Sequence, residues 1–127
     1  MKNLEMKKEF KVIADLLPNN TKVLDVGCGD GSLMNLLTKE KNIKVRGLEL
    51  NQENVQDCIR KGLPVIQGNA ETELHQFPDK SFDYVVLSQT LQAFYDPEKV
   101  LRNLLRLGKS VIISIPKNKK YFLDNSN

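Results

Sequence analysis

Five short apolar runs that alternate with stretches of helical periodicity restrict this chain to a narrow set of folds. Residues 22–26, 43–50, 64–67, 82–87 and 111–115 are rich in β-branched or aromatic side chains and are bounded by Gly, Pro, Asn or Asp, which marks them as strands. Their apolar character is nearly continuous rather than alternating, so both faces of the sheet must be covered, as in parallel sheets. Between them, residues 4–17 carry Met6, Phe10, Ile13 and Leu17 at helical spacing before Pro18 stops the pattern. Residues 32–38 carry Leu33, Leu36 and Leu37 and lead to a polar turn at 39–42. Asn51 is a good N-cap for a helix with Val55 and Ile59 inward, closed by Gly62. Asp96 caps a further helix with Pro97 at its first position, an inner face of Val100, Leu101, Leu104 and Leu105, and Gly108 at its end. Residues 69–80 read as a polar connection. Right-handed crossovers then give an α/β, Rossmann-like, doubly wound and mostly parallel sheet, in which ligands bind at the carboxyl ends of the strands.

Of the 127 residues, 40% are hydrophobic and 28% charged, the balance of one soluble domain, expected over 1–116 with a polar tail at 117–127. No apolar run reaches the length of a membrane span, and neither a membrane nor a secretory leader is expected. Cys28 and Cys58 fit no zinc-ligand spacing, so no metal is expected and a cytoplasmic location is. The net charge of +3 comes from dispersed basic residues, which argues against a nucleic-acid partner. Lys117, Lys119 and Lys120 form a small basic cluster read as a solvated end.

The functional signal is Asp25-Val26-Gly27-Cys28-Gly29-Asp30-Gly31, where the first strand hands over to the first crossover helix. Glycines there permit a tight turn and close approach of a ligand, and free N–H groups at the helix start are expected to attract a negative group. An isolated Gly-x-Gly is also an ordinary turn. Two details point to a cofactor and choose among cofactors. The dinucleotide fingerprint needs two residues between its second and third glycines, whereas Asp30 alone separates Gly29 from Gly31. The Asp25 carboxylate would repel a pyrophosphate and favour the ammonium and sulfonium of S-adenosylmethionine. Glu49, followed by Leu50, ends the second strand, where a carboxylate can accept from both ribose hydroxyls, a device shared with NAD proteins. Asn69 and Ala70 follow the third strand, with an acceptor oxygen and a backbone N–H suited to adenine.

This ordered set, with a fourth strand ending at Leu87-Ser88, resembles the class I S-adenosylmethionine-dependent methyltransferases. Within them, residues 23–31, 65–68 and above all 82–93 look like the MetW family of methionine-biosynthesis proteins, with similarity over roughly residues 10–116. The resemblance implies that Asp25, Gly27, Gly29 and Gly31 line the methionine moiety of S-adenosyl-L-methionine or of the product S-adenosyl-L-homocysteine, with Cys28 and Leu50 also among the cofactor-binding residues. It implies Glu49 at the ribose, Asn69 and Ala70 at the adenine, and Ser88 and Gln89 beside the sulfonium. It further implies action near homoserine O-acyltransferase, as a methyltransferase or as a non-catalytic regulatory or companion subunit. An NAD-dependent oxidoreductase is the remote alternative.

Two departures stand out. The adenine-reading position is commonly aspartate in the superfamily and is Asn69 here, and relatives continue beyond the fifth strand. A C-terminally shortened sheet would leave residues 111–115 as an edge, from which pairing with a second copy is expected. Methyl transfer from a sulfonium requires no catalytic side chain, and positioning supplies much of the rate. Should the acceptor need a base, His75, Tyr84 and Tyr95 are the candidates, His75 reading more simply as a surface residue. Cys28 could gain a lowered pKa at a helix start, or be a small packing residue, as Cys58 reads on its helix. Gln89 and Gln92 could orient an acceptor or hydrogen-bond locally.

Overall fold

The computed structural model describes residues 2–116. The elements are α1 (Lys2–Leu16), β1 (Lys22–Val26), α2 (Ser32–Lys41), β2 (Lys44–Glu49), α3 (Gln52–Arg60), β3 (Val65–Gln67), α4 (Ala70–Glu73) with a 3-10 turn at Leu74–Gln76, β4 (Phe82–Ser88) with a 3-10 turn at Leu91–Ala93, α5 (Pro97–Leu107) and β5 (Gly108–Ser114). All neighbouring strands pair in parallel, in the order β3-β2-β1-β4-β5. The chain runs outward from β1 to β3 and returns on the other side of β1 to β4. The order therefore reverses between β1 and β4, and a crevice opens there at the carboxyl ends. The basic cluster at Lys117, Lys119 and Lys120, with the rest of the expected tail, lies outside the described residues.

Side chains alternate between two cores. Val23, Val45 and Val86 face Ile13, Leu33, Met34, Leu37 and Cys58 from the first three helices, with Leu17 just past the end of α1. Leu24, Val26, Leu48, Val85 and Leu87 face Leu74, Phe77, Val100, Leu104 and Leu107. Each fully buried leucine contributes about 1.5–3 kcal/mol over its exposed state. The doubly wound sheet expected from the sequence is thus realised, with Asp25 on the same face as Val23. Among the described residues no helix is long and apolar enough to cross a membrane.

Several boundaries and faces differ from expectation. The polar turn expected from 39 is the last turn of α2, which runs to Lys41; its lysines suit a helix C-terminus, and Asn42 closes it at φ 52°. Ile59 and Leu105 are 62% and 61% exposed, and Cys58 and Leu107 take the inward places. Helical spacing allows i+3 and i+4 alike, and tertiary packing chose the former. The polar connection contains α4, capped by the Asn69 side chain. Finally, β5 starts at Gly108, where a side chain would meet Val85 Cγ2 at 2.7 Å. It is an edge of the described sheet, as expected.

Candidate functional site

The loop after β1 places Gly27, Gly29 and Gly31 at positive φ, and the last two differ in what surrounds them. Gly31 sits at φ +88°, and a Cβ there would come within 2.5 Å of Leu63 Cδ1. Gly29 sits at φ +58° with open space where a Cβ would point. The N–H groups of Gly27 and Cys28 donate to Leu48 O, that of Gly29 to Glu49 Oε1, that of Gly31 to Cys28 O, and that of Ser32 to Asp30 Oδ1. Four of the five loop N–H groups from Gly27 to Gly31 are therefore engaged within the protein, which leaves less of the loop to attract an anion than expected.

Asp25 is 1% exposed, and its Oδ1 has no hydrogen-bond partner. Burial, reinforced by the Glu49 carboxylate, raises its pKa to about 7. A buried, half-ionised carboxylate with a vacant acceptor calls for a cationic or donor partner.

Asp25 opens into a cavity of about 500 Å³. The glycine loop contributes Gly27, Cys28, Gly29 and Asp30 to its wall; Ser32 and Leu33 of α2 and Asn54 of α3 close one side. Ser88 and Gln89 bound it at the end of β4, and Met6, Lys7 and Phe10 of α1 cover it. Of the expected site residues, Asp25, Gly27, Cys28, Gly29, Ser88 and Gln89 meet here. Gly31 does not line the cavity but packs on Leu63 and Cys58. Glu49, Leu50, Asn69 and Ala70 lie at the neighbouring ends of β2 and β3, outside this wall. Both Glu49 oxygens accept backbone N–H groups, from Gly29 at 2.8 Å and Asn51 at 2.9 Å. Leu50 is exposed and Ala70 buried. Asn69 Oδ1 accepts from Glu71 N at 2.9 Å, which makes it a helix cap as well as a candidate adenine contact.

Glu9 and the cover by α1 were missed in the sequence. Glu9 accepts from Ser88 Oγ at 3.0 Å and from Gln89 Nε2, tying α1 to the end of β4. Gln89 adopts φ +62°, an uncommon conformation for a side-chain-bearing residue, held by its N–H donating to Ser114 O. The hints were Met6 and Phe10, placed on the packing face by their spacing; both line the cavity, and Met6 is 43% exposed. Thr90 was also missed: its Oγ1 is buried without a partner, and it packs where a Gly27 side chain would be. Gln92 donates to Gln89 O, the local bonding expected as one alternative.

None of the candidate bases lines the cavity. His75 is exposed in the turn after α4, Tyr84 lies near the start of β4, and Tyr95 is 99% exposed. Cys28 is not activated. Burial first, then the Asp25 charge and Cys58, push its thiol up, contrary to the lowered value considered from the sequence.

The parallel five-stranded sheet, its switch-point cavity and the glycine loop define the Rossmann-like fold of class I S-adenosylmethionine-dependent methyltransferases. A solved S-adenosylmethionine-dependent methyltransferase from Archaeoglobus fulgidus superposes with TM-score 0.69 at 30% identity, over 87% of this chain and 50% of that one. The profile of the family described as "Methionine biosynthesis protein MetW" matches residues 7–122, and the chain belongs to that family. It is similar to the bifunctional methionine biosynthesis protein MetXA/MetW of Rhodopirellula baltica, 34% identical over 82% of this chain and 18% of the relative. It is also similar to the ubiquinone biosynthesis O-methyltransferase of Photorhabdus laumondii, 33% identical over 80% of this chain and 46% of the relative. The chain thus spans less than half the length of these two curated relatives.

Proposed function

We propose that the chain binds S-adenosyl-L-methionine, or S-adenosyl-L-homocysteine as product, at the β1–β4 switch point, and acts as a MetW-type methyltransferase in methionine biosynthesis. The observation that carries this reading is Asp25, a buried carboxylate with an unpartnered oxygen that lines a cavity walled by a glycine loop most of whose N–H groups are already bonded. Such a site suits an ammonium and offers little to a pyrophosphate. The residues present fit the cofactor: Asp25 for the amino-acid moiety, the open side of Gly29 for close approach, and Glu49, Leu50, Asn69 and Ala70 for the nucleoside at the next strand ends.

Bound S-adenosylmethionine supplies an electrophilic methyl group on a sulfonium. The chain binds, orients and excludes water: Asp25 fixes one end, and α1 with Phe10 covers the cavity. Ser88 and Gln89 stand at the carboxyl end of β4, where an acceptor would approach. Positioning, rather than a side-chain base, carries the rate.

Calorimetric titration with S-adenosylmethionine, S-adenosylhomocysteine and NAD tests the reading. The first two bind and NAD does not; tighter binding of NAD would restore the oxidoreductase alternative.

The relative that joins MetXA and MetW in one chain supports association with a homoserine O-acyltransferase-type partner, and the cytoplasm is the compartment proposed for it. A stable complex in a pull-down, with no methyl release from labelled S-adenosylmethionine in cell extract, would identify a companion subunit rather than an enzyme. The domain proposed for binding is residues 1–116. Pairing through the β5 edge is the route proposed for a homodimer, and neither a membrane nor a nucleic acid is required.

A further inference from the structure

Cys28 and Cys58, 30 residues apart in sequence, bring their Sγ atoms to 4.0 Å. Cys28 belongs to the glycine loop and lines the cavity, whereas Cys58 sits on the inner face of α3 at 0% exposure. Both thiols point at one acceptor: Cys58 Sγ lies 3.3 Å and Cys28 Sγ 3.9 Å from Gly29 O. Two glycines leave room for the pair. A Cβ at Gly47 would come within 2.6 Å of Cys28 Sγ, and one at Gly31 within 3.0 Å of Cys58 Sγ. The proposed methyl transfer uses neither thiol.

We propose that Cys28 and Cys58 are a dithiol–disulfide couple, oxidised by a low-molecular-weight disulfide that enters through the cavity. The Cys28 thiolate attacks one sulfur of the small disulfide, forming a mixed disulfide and expelling one small thiolate, which takes up the proton Cys28 lost. Cys58 then attacks Cys28 Sγ and expels the second small thiol in the same way. Two protein thiols become one disulfide, and one small disulfide becomes two thiols. Burial and the Asp25 charge hold the Cys28 thiol above its usual range, so exchange is slow at neutral pH and accelerates as pH rises.

Closing the pair from 4.0 Å to a bond of about 2.05 Å draws the glycine loop toward α3. The Gly29 carbonyl then loses its S–H donors, while the Gly29 N–H remains tied to Glu49. Oxidation therefore reshapes the cavity wall and weakens ligand binding. This last consequence rests on the proposed function.

The test incubates the reduced full chain with oxidised glutathione, counts thiols after acid quench and alkylation, and maps unreduced proteolytic peptides by mass. The two free thiols fall to none, the Cys28 and Cys58 peptides are joined, no disulfide links two chains, and dithiothreitol reverses the change. In Cys58→Ser the reaction stops at a glutathione adduct on Cys28. A wild-type chain that keeps both thiols, or holds a lasting adduct on Cys28 beside a free Cys58, overturns the couple. Titration of both forms with S-adenosylhomocysteine then reads the coupling: affinity at least about tenfold weaker in the oxidised form supports it and equal affinity overturns it. Failure of the reduced chain to bind defeats the functional reading and the coupling with it, while joined peptides stand independently.

Discussion

The Gly29 N–H donates to Glu49 Oε1 at 2.8 Å, fastening the glycine loop to the end of β2 across 20 residues. The other Glu49 oxygen holds Asn51 N–H at the start of α3, so one carboxylate sets the spacing between loop and helix. Its charge also adds to the burial that raises the Asp25 pKa. Glu49→Gln should therefore act twice. Unfolding in denaturant at pH 8 should show a loss of roughly 1–3 kcal/mol, because an amide offers one acceptor where two donors need one. The Asp25 titration, followed by carboxyl NMR, should move to lower pH.

Asp25 makes stability and binding pull in opposite directions. Its folded pKa of about 7 lies above the ordinary 3.8, so between those values the folded chain holds a proton that the unfolded chain has lost. The unfolded state binds fewer protons there, and stability falls as pH rises through the window, by up to roughly 4 kcal/mol in all, then levels off above it. Asp25→Asn removes the buried ionisation. Denaturation midpoints measured from pH 4 to 8 should decline less for the variant, leaving it the more stable form at pH 8.

The glycines separate folding from binding. Gly31→Ala places a methyl against Leu63 and forces φ +88° on a side-chain-bearing residue, so it should destabilise by about 1–3 kcal/mol or more in a thermal melt. Gly29→Ala meets no atom within 4 Å and carries only the strain of φ +58°, about 1 kcal/mol. Because Gly29 lines the cavity, that variant should fold yet bind S-adenosylhomocysteine more weakly in calorimetry.

Glu9 fastens the cover. Glu9→Ala removes the acceptor of both Ser88 Oγ and Gln89 Nε2, and hydrogen exchange in α1 should quicken while that of β1 and β4 is unchanged. Added S-adenosylhomocysteine should slow exchange in wild-type α1.

The fold was legible because apolar runs and glycine punctuation are local. Asp25, Gly27, Gly29 and Ser88 were legible because strand ends place them wherever the crossovers run. The helix faces were less so: Ile59 and Cys58 are adjacent, equally compatible with helical spacing, and only the packing against Gly31 and Leu63 selects the thiol. Glu9 was illegible because its partners lie 79 and 80 residues away, and nothing in α1 announces where that helix crosses the sheet. The pairing of the two cysteines was hidden for the same reason.

Titration of S-adenosylhomocysteine into the wild-type chain and Asp25→Asn across pH 5 to 8 tests the central claim most directly. For the wild type, affinity should rise close to tenfold per pH unit up to about 7 as binding expels the Asp25 proton, then level off. For the variant it should be weak and flat. Equal affinities with a shared pH profile would contradict the assignment of Asp25 as the cation-receiving group.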